Sequence, residues 1–403
     1  MTTRRRAALV RYRLLPWWGR VTLIYLAARI VSTALILVIA ANQGMNPWTG
    51  AHPGYFDFAT IWDGHWYYIV AAAGYPSELP YTADGHVAEN AWAFMPAYPF
   101  LVRGLMIVTA LPWPLVSVIV SFGFGLGAAL VFFRLMSRVL GDSRTAMFSV
   151  VLFCIAPVSA LFQLAYAESM YTFLLVLGLY LVVQRRYVLL VPLIAVMALT
   201  RPSGLAFALF LGLHVIVRFV NRGREPFPWR ERIGVSLVAV FSGLMGLAWP
   251  AIAAMATGRV TAYTDTELAW RSAYVGYHEL IPFAPWIQGA NWWLNSSSGF
   301  PVGAVVVVLL VLAFGLAFFS RPVRRVGLDL RLWVLSYALY LLAVFFPQSS
   351  TFRLLMPMFP LLGAVAVPRS SVYRVAVVVL FLLAQWVWLL LCWGVDGADW
   401  TPP

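Results

Sequence analysis

The sequence predicts an all-α integral membrane protein, a polytopic helix bundle with about eleven crossings. Of 403 residues, 62% are apolar and only 11% charged, where a soluble domain is about half apolar and a quarter charged. The apolar excess is gathered in runs such as 114–133, 302–319 and 375–393, each close to the ~20 residues a helix needs to cross a bilayer. Arginines fall in the short stretches between such runs, as loops between membrane helices would have it.

In chain order, Arg4, Arg5, Arg6, Arg11 and Arg13 precede a first span at about 20–41, with no A-x-A-like cleavage site after it, so no removable signal peptide is expected. Further spans are expected at about 114–133, 146–164, 168–184, 187–200, 203–219, 233–257, 302–319, 332–346, 352–367 and 373–393. Cytoplasmic loops carry the excess of basic residues, which sets the N-terminus inside and the C-terminus out. The arginine-rich loops 134–144, 185–186, 218–232, 321–331 and 369–374 then fall inside. Residues 94–111 are also apolar, but a crossing there would turn loop 134–144 outward, so a juxtamembrane or re-entrant helix is expected instead. This topology puts 22 of 28 arginines inside, Arg29 mid-span, and Arg103, Arg201, Arg259, Arg271 and Arg353 outside. Eleven of the 15 acids are outside. The chain 1–403 reads as one transmembrane domain with two long outer segments, 42–113 and 258–300, both rich in aromatic and polar residues. Loops held by a rigid scaffold carry function, so the working face is expected to be the outer one.

The formal charge of +13 suggests nucleic acid, but the arginines form no continuous basic face, and no nucleic-acid partner is expected. Cys154 and Cys392 lie in apolar runs and read as small core residues. Asp57 and Asp63 lack D-x-D spacing and no two histidines stand at i, i+4, so neither a metal nor another cofactor is expected.

The stretch Asp63-Gly64-His65-Trp66-Tyr67, closed by Gly74-Tyr75-Pro76, has the form of a short helix at about 64–73 in the membrane interface, with Asp63 as N-cap and Gly74 as terminator. Capping is one sufficient reason for Asp63. The other is catalytic: a carboxylate fixed at a helix start on the water–lipid boundary can act as general base toward a hydroxyl. Asp57 is either a second carboxylate of such a site or a loop cap. His65 is a ligand for a phosphate or sugar hydroxyl, or an interfacial packing residue. Arg29, costly in lipid, is expected to find its partner within the bundle.

Trp62-Asp63, Gly64-His65-Trp66-Tyr67, Ile69 and Gly74-Tyr75 together resemble the W-D…G-Y signature of the GPI mannosyltransferase II (PIG-V type) family. Ala93-Phe94-Met95-Pro96-Ala97-Tyr98-Pro99, Ala156-Pro157 with Tyr166-Ala167-Glu168-Ser169, Thr200-Arg201-Pro202-Ser203-Gly204 and Arg353-Leu354-Leu355-Met356-Pro357 are similar to later elements of that family, in the same order. Met95 stands where Phe is usual, Ala156 where Asn is, and 258–300 departs from the eukaryotic members.

The resemblance implies a GT-C type fold with juxtamembrane helices in a catalytic first outer loop. It also implies a polyprenyl-phosphate-mannose donor and, for a bacterial relative, a site on the extracytoplasmic face of the plasma membrane. The acceptor, a glycolipid or glycan, does not follow from it. With a phosphate as leaving group, one base and nearby positive charge suffice. Asp63 is then the catalytic base, and transfer inverts a β-linked donor by single displacement, a logic borrowed from glycosidases. Arg201, Arg353 and Arg271 are candidate phosphate clamps, or partners in local ion pairs. Glu168 is a favourable helix-start charge, an acceptor contact, or a group that orients an arginine. Tyr75, Tyr98 and Trp66 are candidate sugar-stacking rings, although interfacial anchoring is the commoner use. Asp265, Glu267, His278 and Trp292 are candidate acceptor contacts in a lid. The alternative reading is a polytopic transporter or lipid flippase, which would show internal repeats and charges along a path.

Overall fold

The computed structural model describes residues 12, 14–278, 280–294, 302–395 and 401–403. The basic run ahead of the first span, and residues 279 and 295–300 of the second outer segment, lie outside the described residues. The chain is all-helical, and an isolated bridge between Tyr81 and Val87 is the β-pairing among the described residues.

Among those residues, five helices are long and apolar enough to cross a membrane: Trp17–Ala41, Trp113–Leu140, Gly204–Gly223 with its terminal turn, Trp229–Thr257 and Ser371–Trp393. Ala97–Thr109, Ser143–Ile155, Glu168–Val183, Tyr187–Ala198 and Val302–Phe318 are apolar but shorter. The expected set of about eleven crossings is therefore met at full length by five. Prolines account for two of the differences. Pro157 lies just past the end of Ser143–Ile155, and the expected span 146–164 finishes as the 3-10 turn Ser159–Gln163. Pro357 and Pro360 divide the expected span 352–367 into Thr351–Leu354, the turn Met356–Met358 and Leu361–Val365. The apolar stretch 94–111 forms a 13-residue helix, Ala97–Thr109. At ~1.5 Å per residue it is well short of a ~30 Å hydrocarbon core.

The broken helix explains Arg29. A helix end leaves carbonyls without partners. Arg29, buried in the middle of Trp17–Ala41, donates to the carbonyls of Cys154 and Ser159 across the break. Gln385 of the last helix donates to the Ala156 carbonyl at 3.2 Å and to Ser159 Oγ at 2.8 Å. The expected in-bundle partner of Arg29 is thus backbone. A second close contact sets the neighbouring pair of helices. A Cβ on Gly204 would lie 2.6 Å from the Cα of Gly246, and Ser242 Oγ donates to the Gly204 carbonyl at 2.8 Å. Only glycine on both sides allows Gly204–Val220 and Trp229–Thr257 to approach this closely.

Charged residues fall into separate networks. Residues expected on the inner side meet one another: Asp329 bonds His214 Nδ1 at 2.8 Å and Tyr187 bonds Nε2 at 2.9 Å. Arg218 pairs with Glu225 and Glu231, and Arg185 with Glu225. Segments 42–113 and 258–300 meet each other. Asn90 donates to Thr266 Oγ1 at 2.9 Å and Trp270 packs edge-on against Trp66, while Trp249, on the helix Trp229–Thr257, donates through Nε1 to the Trp92 carbonyl at 2.9 Å.

Replacing Arg29 by Met should cost about 2–4 kcal/mol, because several charge-assisted hydrogen bonds are lost and buried carbonyls are orphaned. Thermal unfolding in detergent would show a clearly lowered midpoint. An unchanged midpoint would mean the break does not need its cation.

Candidate active site

The helix foreseen at 64–73 is Asp63–Ala73, ended by Gly74 at φ +77°. The expectation that Asp63 caps it is corrected: Trp62 holds the cap position, Asp63 is the first helical residue, and no side chain caps the helix. The cause is an unusual backbone. Trp62 adopts φ +59°, a conformation that costs a non-glycine residue about 1–3 kcal/mol. Its indole Nε1 donates to the Cys392 carbonyl at 2.7 Å, and Trp393 Nε1 donates to the Phe58 carbonyl at 3.1 Å. The end of the last helix thus pins the chain on both sides of this turn. Gly64 completes the fit, because a Cβ there would lie 3.2 Å from Ala165. The Ala165 N–H reaches the Ala59 carbonyl at 3.0 Å.

Turned in this way, the Asp63 carboxylate forms an ion pair with Arg353. The Arg353 Nη1 lies 3.4 Å from Glu168 Oε1, and the same oxygen is 3.1 Å from Arg201 Nη1. Four side chains from distant parts of the sequence therefore form a chain of alternating charge. Glu168 in its middle is 4% exposed at the side chain, whereas Asp63 and Arg201 at its ends are 14% and 16% exposed. Two carboxylates balance two guanidinium groups. Neither Glu168 oxygen has a well-directed hydrogen bond, so charge attraction is what ties it to the arginines.

Each member is placed by its own element. Glu168 opens the helix Glu168–Val183, where the positive end of the helix favours it. Arg201 sits in the turn before Gly204, whose close helix contact fixes it, and its charge acts on Tyr67, one turn on from Asp63. Arg353 lies on Thr351–Leu354, held to the helix Leu328–Val344 by Tyr337 Oη to the Leu354 carbonyl and Trp333 Nε1 to the Pro357 carbonyl, both at 2.8 Å. Tyr166 and Tyr67 stand inside the motif stretches without an expected role of their own. Yet Tyr166 Oη accepts from the Asp63 N–H at 3.3 Å and its ring lies under the Arg353 guanidinium, 5.6 Å away. Their signal was their place two residues before Glu168 and four after Asp63.

The other expected residues lie outside this ion-pair chain. His65 is exposed and packs edge-on against Trp48 at 5.3 Å. Asp57 is exposed in the short helix Tyr55–Phe58. Tyr75 stacks on Trp92 at 4.7 Å, and its hydroxyl donates to the Phe94 carbonyl at 2.7 Å. Tyr98 is fully buried and its hydroxyl bonds Ser117 and Ser121, while Trp66 stacks on Phe94. These aromatic rings build the loop's own core. Asp265 fastens Arg259 at 2.7 Å, and Trp292 packs on Tyr274. His278 is exposed. Glu267 differs. Solvent reaches it, but protein surrounds it, and burial raises its carboxyl above the usual value against the lowering effects of a Tyr263 hydrogen bond and of Arg201 and Arg271. Arg271 is buried.

A group with a raised folded value stabilises the fold below its unfolded value and loses that contribution as pH rises through the folded value. Glu267→Gln should therefore be more stable than the native protein at neutral pH, and the advantage should vanish below about pH 4, near the ordinary carboxylate range. Thermal midpoints of both proteins across pH test this; a lower midpoint for the variant at pH 7 would contradict it.

Among the described residues no three His, Cys, Asp or Glu side chains converge in a way that could hold a metal ion. None of the curated proteins compared matches the chain. Similar solved structures include the archaeal oligosaccharyltransferase AglB from Archaeoglobus fulgidus in complex with an inhibitory peptide and a dolichol-phosphate, at 15% identity and a TM-score of 0.45, covering 92% of this chain and 55% of that one. Another is the Archaeoglobus fulgidus oligosaccharyltransferase tethered to an acceptor peptide by a disulfide bond, at 14% identity and a TM-score of 0.42, covering 91% and 53%. The chain spans about half the length of these structures. Residues 49–243, which hold Asp63, Glu168 and Arg201, match the family model described as mannosyltransferase (PIG-V).

Proposed function

We propose that the protein is a GT-C type membrane mannosyltransferase. It moves mannose from a polyprenyl-phosphate-mannose donor to a hydroxyl of an extracytoplasmic glycolipid or glycan acceptor. The observation that supports this most is the buried chain Asp63–Arg353–Glu168–Arg201, three of whose members fall within the family-matched segment. It offers a carboxylate and two cations at one place, which is what transfer from a lipid phosphate needs.

In this reading the acceptor oxygen attacks the anomeric carbon as the bond from that carbon to the phosphate oxygen breaks. The hydroxyl proton passes to Asp63, and the electron pair of the broken bond leaves on the polyprenyl phosphate. One displacement inverts the anomeric centre. Arg353 fixes the Asp63 carboxylate beforehand, and Arg201 and Arg353 together favour the charge that develops on the leaving phosphate. Glu168 orients both arginines. His65, on the helix that begins with Asp63, and Asp57, on the short helix before it, are both exposed; in this reading His65 meets the phosphate or a sugar hydroxyl and Asp57 is a second carboxylate of the site. Tyr75 shapes the loop through its packing. The working face is the extracytoplasmic one, served by segments 42–113 and 258–300 of a single domain.

Membranes containing the native protein should transfer label from polyprenyl-phosphate-[¹⁴C]mannose to an acceptor. Asp63→Asn, at equal expression, should be slower by at least about 10²-fold. Equal transfer by the two proteins would remove Asp63 as the base. Uptake of the donor with no labelled product would favour the transporter reading.

A further inference from the structure

The N–H groups in the first turn of a helix lack a carbonyl one full turn back and must find other partners. In the helix Asp63–Ala73, Gly64 donates to the Ile61 carbonyl at 3.2 Å and His65 to the Trp62 carbonyl at 3.0 Å. The Asp63 N–H instead donates to the hydroxyl of Tyr166, 103 residues further along the chain, at 3.3 Å. Receiving an N–H at a helix start is ordinarily the work of an aspartate, asparagine, serine or threonine at the cap. Here a distant tyrosine does it. The Asp63 carboxylate, not used as a cap, faces Arg353.

The ring of the same tyrosine meets the other half of that ion pair. It lies 5.6 Å from the Arg353 guanidinium, within the reach of a cation–π contact. Tyr166 is itself tightly held. It is 0% exposed, Trp393 packs on its ring at 5.6 Å, and Ser121 Oγ donates to its carbonyl at 3.2 Å. The Ala165 N–H beside it joins the Ala59 carbonyl at 3.0 Å, just ahead of the turn that carries Asp63. Burial raises the Tyr166 hydroxyl well above its ordinary value, with the Asp63 charge adding to this and Arg353 opposing it. The hydroxyl therefore stays protonated and meets the Asp63 N–H as a neutral acceptor.

We infer that Tyr166 is the positioning residue of the Asp63–Arg353 pair, its hydroxyl setting the base and its ring setting the cation. This deepens the transferase reading and rests on it. The two parts of the side chain act at different moments of the reaction. Asp63 takes the acceptor's proton only as the new bond forms, so the hydroxyl serves the chemical step. Arg353 faces the donor phosphate from binding onward, so the ring serves donor binding as well. Tyr166 itself touches neither the base's carboxylate chemistry nor the sugar.

The test is transfer from polyprenyl-phosphate-[¹⁴C]mannose in membranes at equal expression, read as kcat and donor KM. Tyr166→Phe keeps the ring and loses the hydroxyl. It should lower kcat by about tenfold and leave donor KM unchanged, the pattern of an interaction that matters only in the transition state. Tyr166→Leu loses both parts and should also raise donor KM by several-fold, so that Phe restores donor KM where Leu does not. In the Asp63→Asn background, Tyr166→Phe should cost nothing further, because residues that act as a unit are not additive. Should the Leu variant fail to fold, the Phe variant and its Asp63→Asn double carry the test. If Tyr166→Phe transfers like the native protein, or slows transfer equally with and without the Asp63 carboxylate, the inference is overturned while the transferase reading stands. If the native protein transfers no mannose, that reading fails and the inference fails with it.

Discussion

The attraction between one buried carboxylate and two guanidinium groups organises one end of this molecule. Glu168 is nearly inaccessible to solvent, and both Arg353 and Arg201 come within 3.4 Å of it. Each of these charges would be expensive alone in a low-dielectric surround. Together they are tolerable, and Asp63 completes the balance. The consequence is structural as much as chemical. A helix start at residue 168, a turn at 201 and a short helix at 353 must all arrive at one point, and the first loop must deliver Asp63 to it.

Delivery depends on hydrogen bonds from tryptophans to backbone. Trp62 and Trp393 tie the loop to the last helix, and Trp333 ties the Arg353 segment to its neighbour. Tryptophan suits this use because its large apolar body packs while its single N–H seeks an acceptor. The backbone of Trp62 is held at positive φ by these contacts. That conformation turns Asp63 away from capping its own helix and toward Arg353. Strain at this residue therefore buys direction for the next one.

Much of this was legible in the sequence. The run of apolar segments gave an all-helical chain, Gly74 marked the end of the short helix, and the residues that carry the family resemblance include all four members of the charge chain. Arg29 was recognisable as a residue needing a partner, because a charge in an apolar run always does. Other features were hidden for physical reasons. Hydropathy sees prolines only weakly, so spans 146–164 and 352–367 looked continuous. An aspartate at a helix start reads as a cap in sequence, and only the Trp62 backbone shows that Asp63 does not cap this one. Tyr75 and Tyr98 read as sugar platforms because an aromatic ring carries no mark of whether it faces a ligand or its own loop. The pairing of Glu168 with two arginines joins positions up to 185 residues apart, from 168 to 353, beyond the reach of any local pattern.

The network around His214 and Arg218 uses the same charge complementarity, but its members are tied by hydrogen bonds and include the exposed carboxylate of Glu225. The chain through Glu168 is drier and depends on its arginines for neutrality. The most direct test of that dependence is a double-mutant cycle in thermal stability with Glu168→Gln, Arg353→Gln and the pair. The charge-chain account predicts that each single variant is strongly destabilised and that the double variant recovers part of the loss, a coupling of more than about 1 kcal/mol. Losses that simply add would show that Glu168 and Arg353 do not hold each other, and the account would fail at its centre.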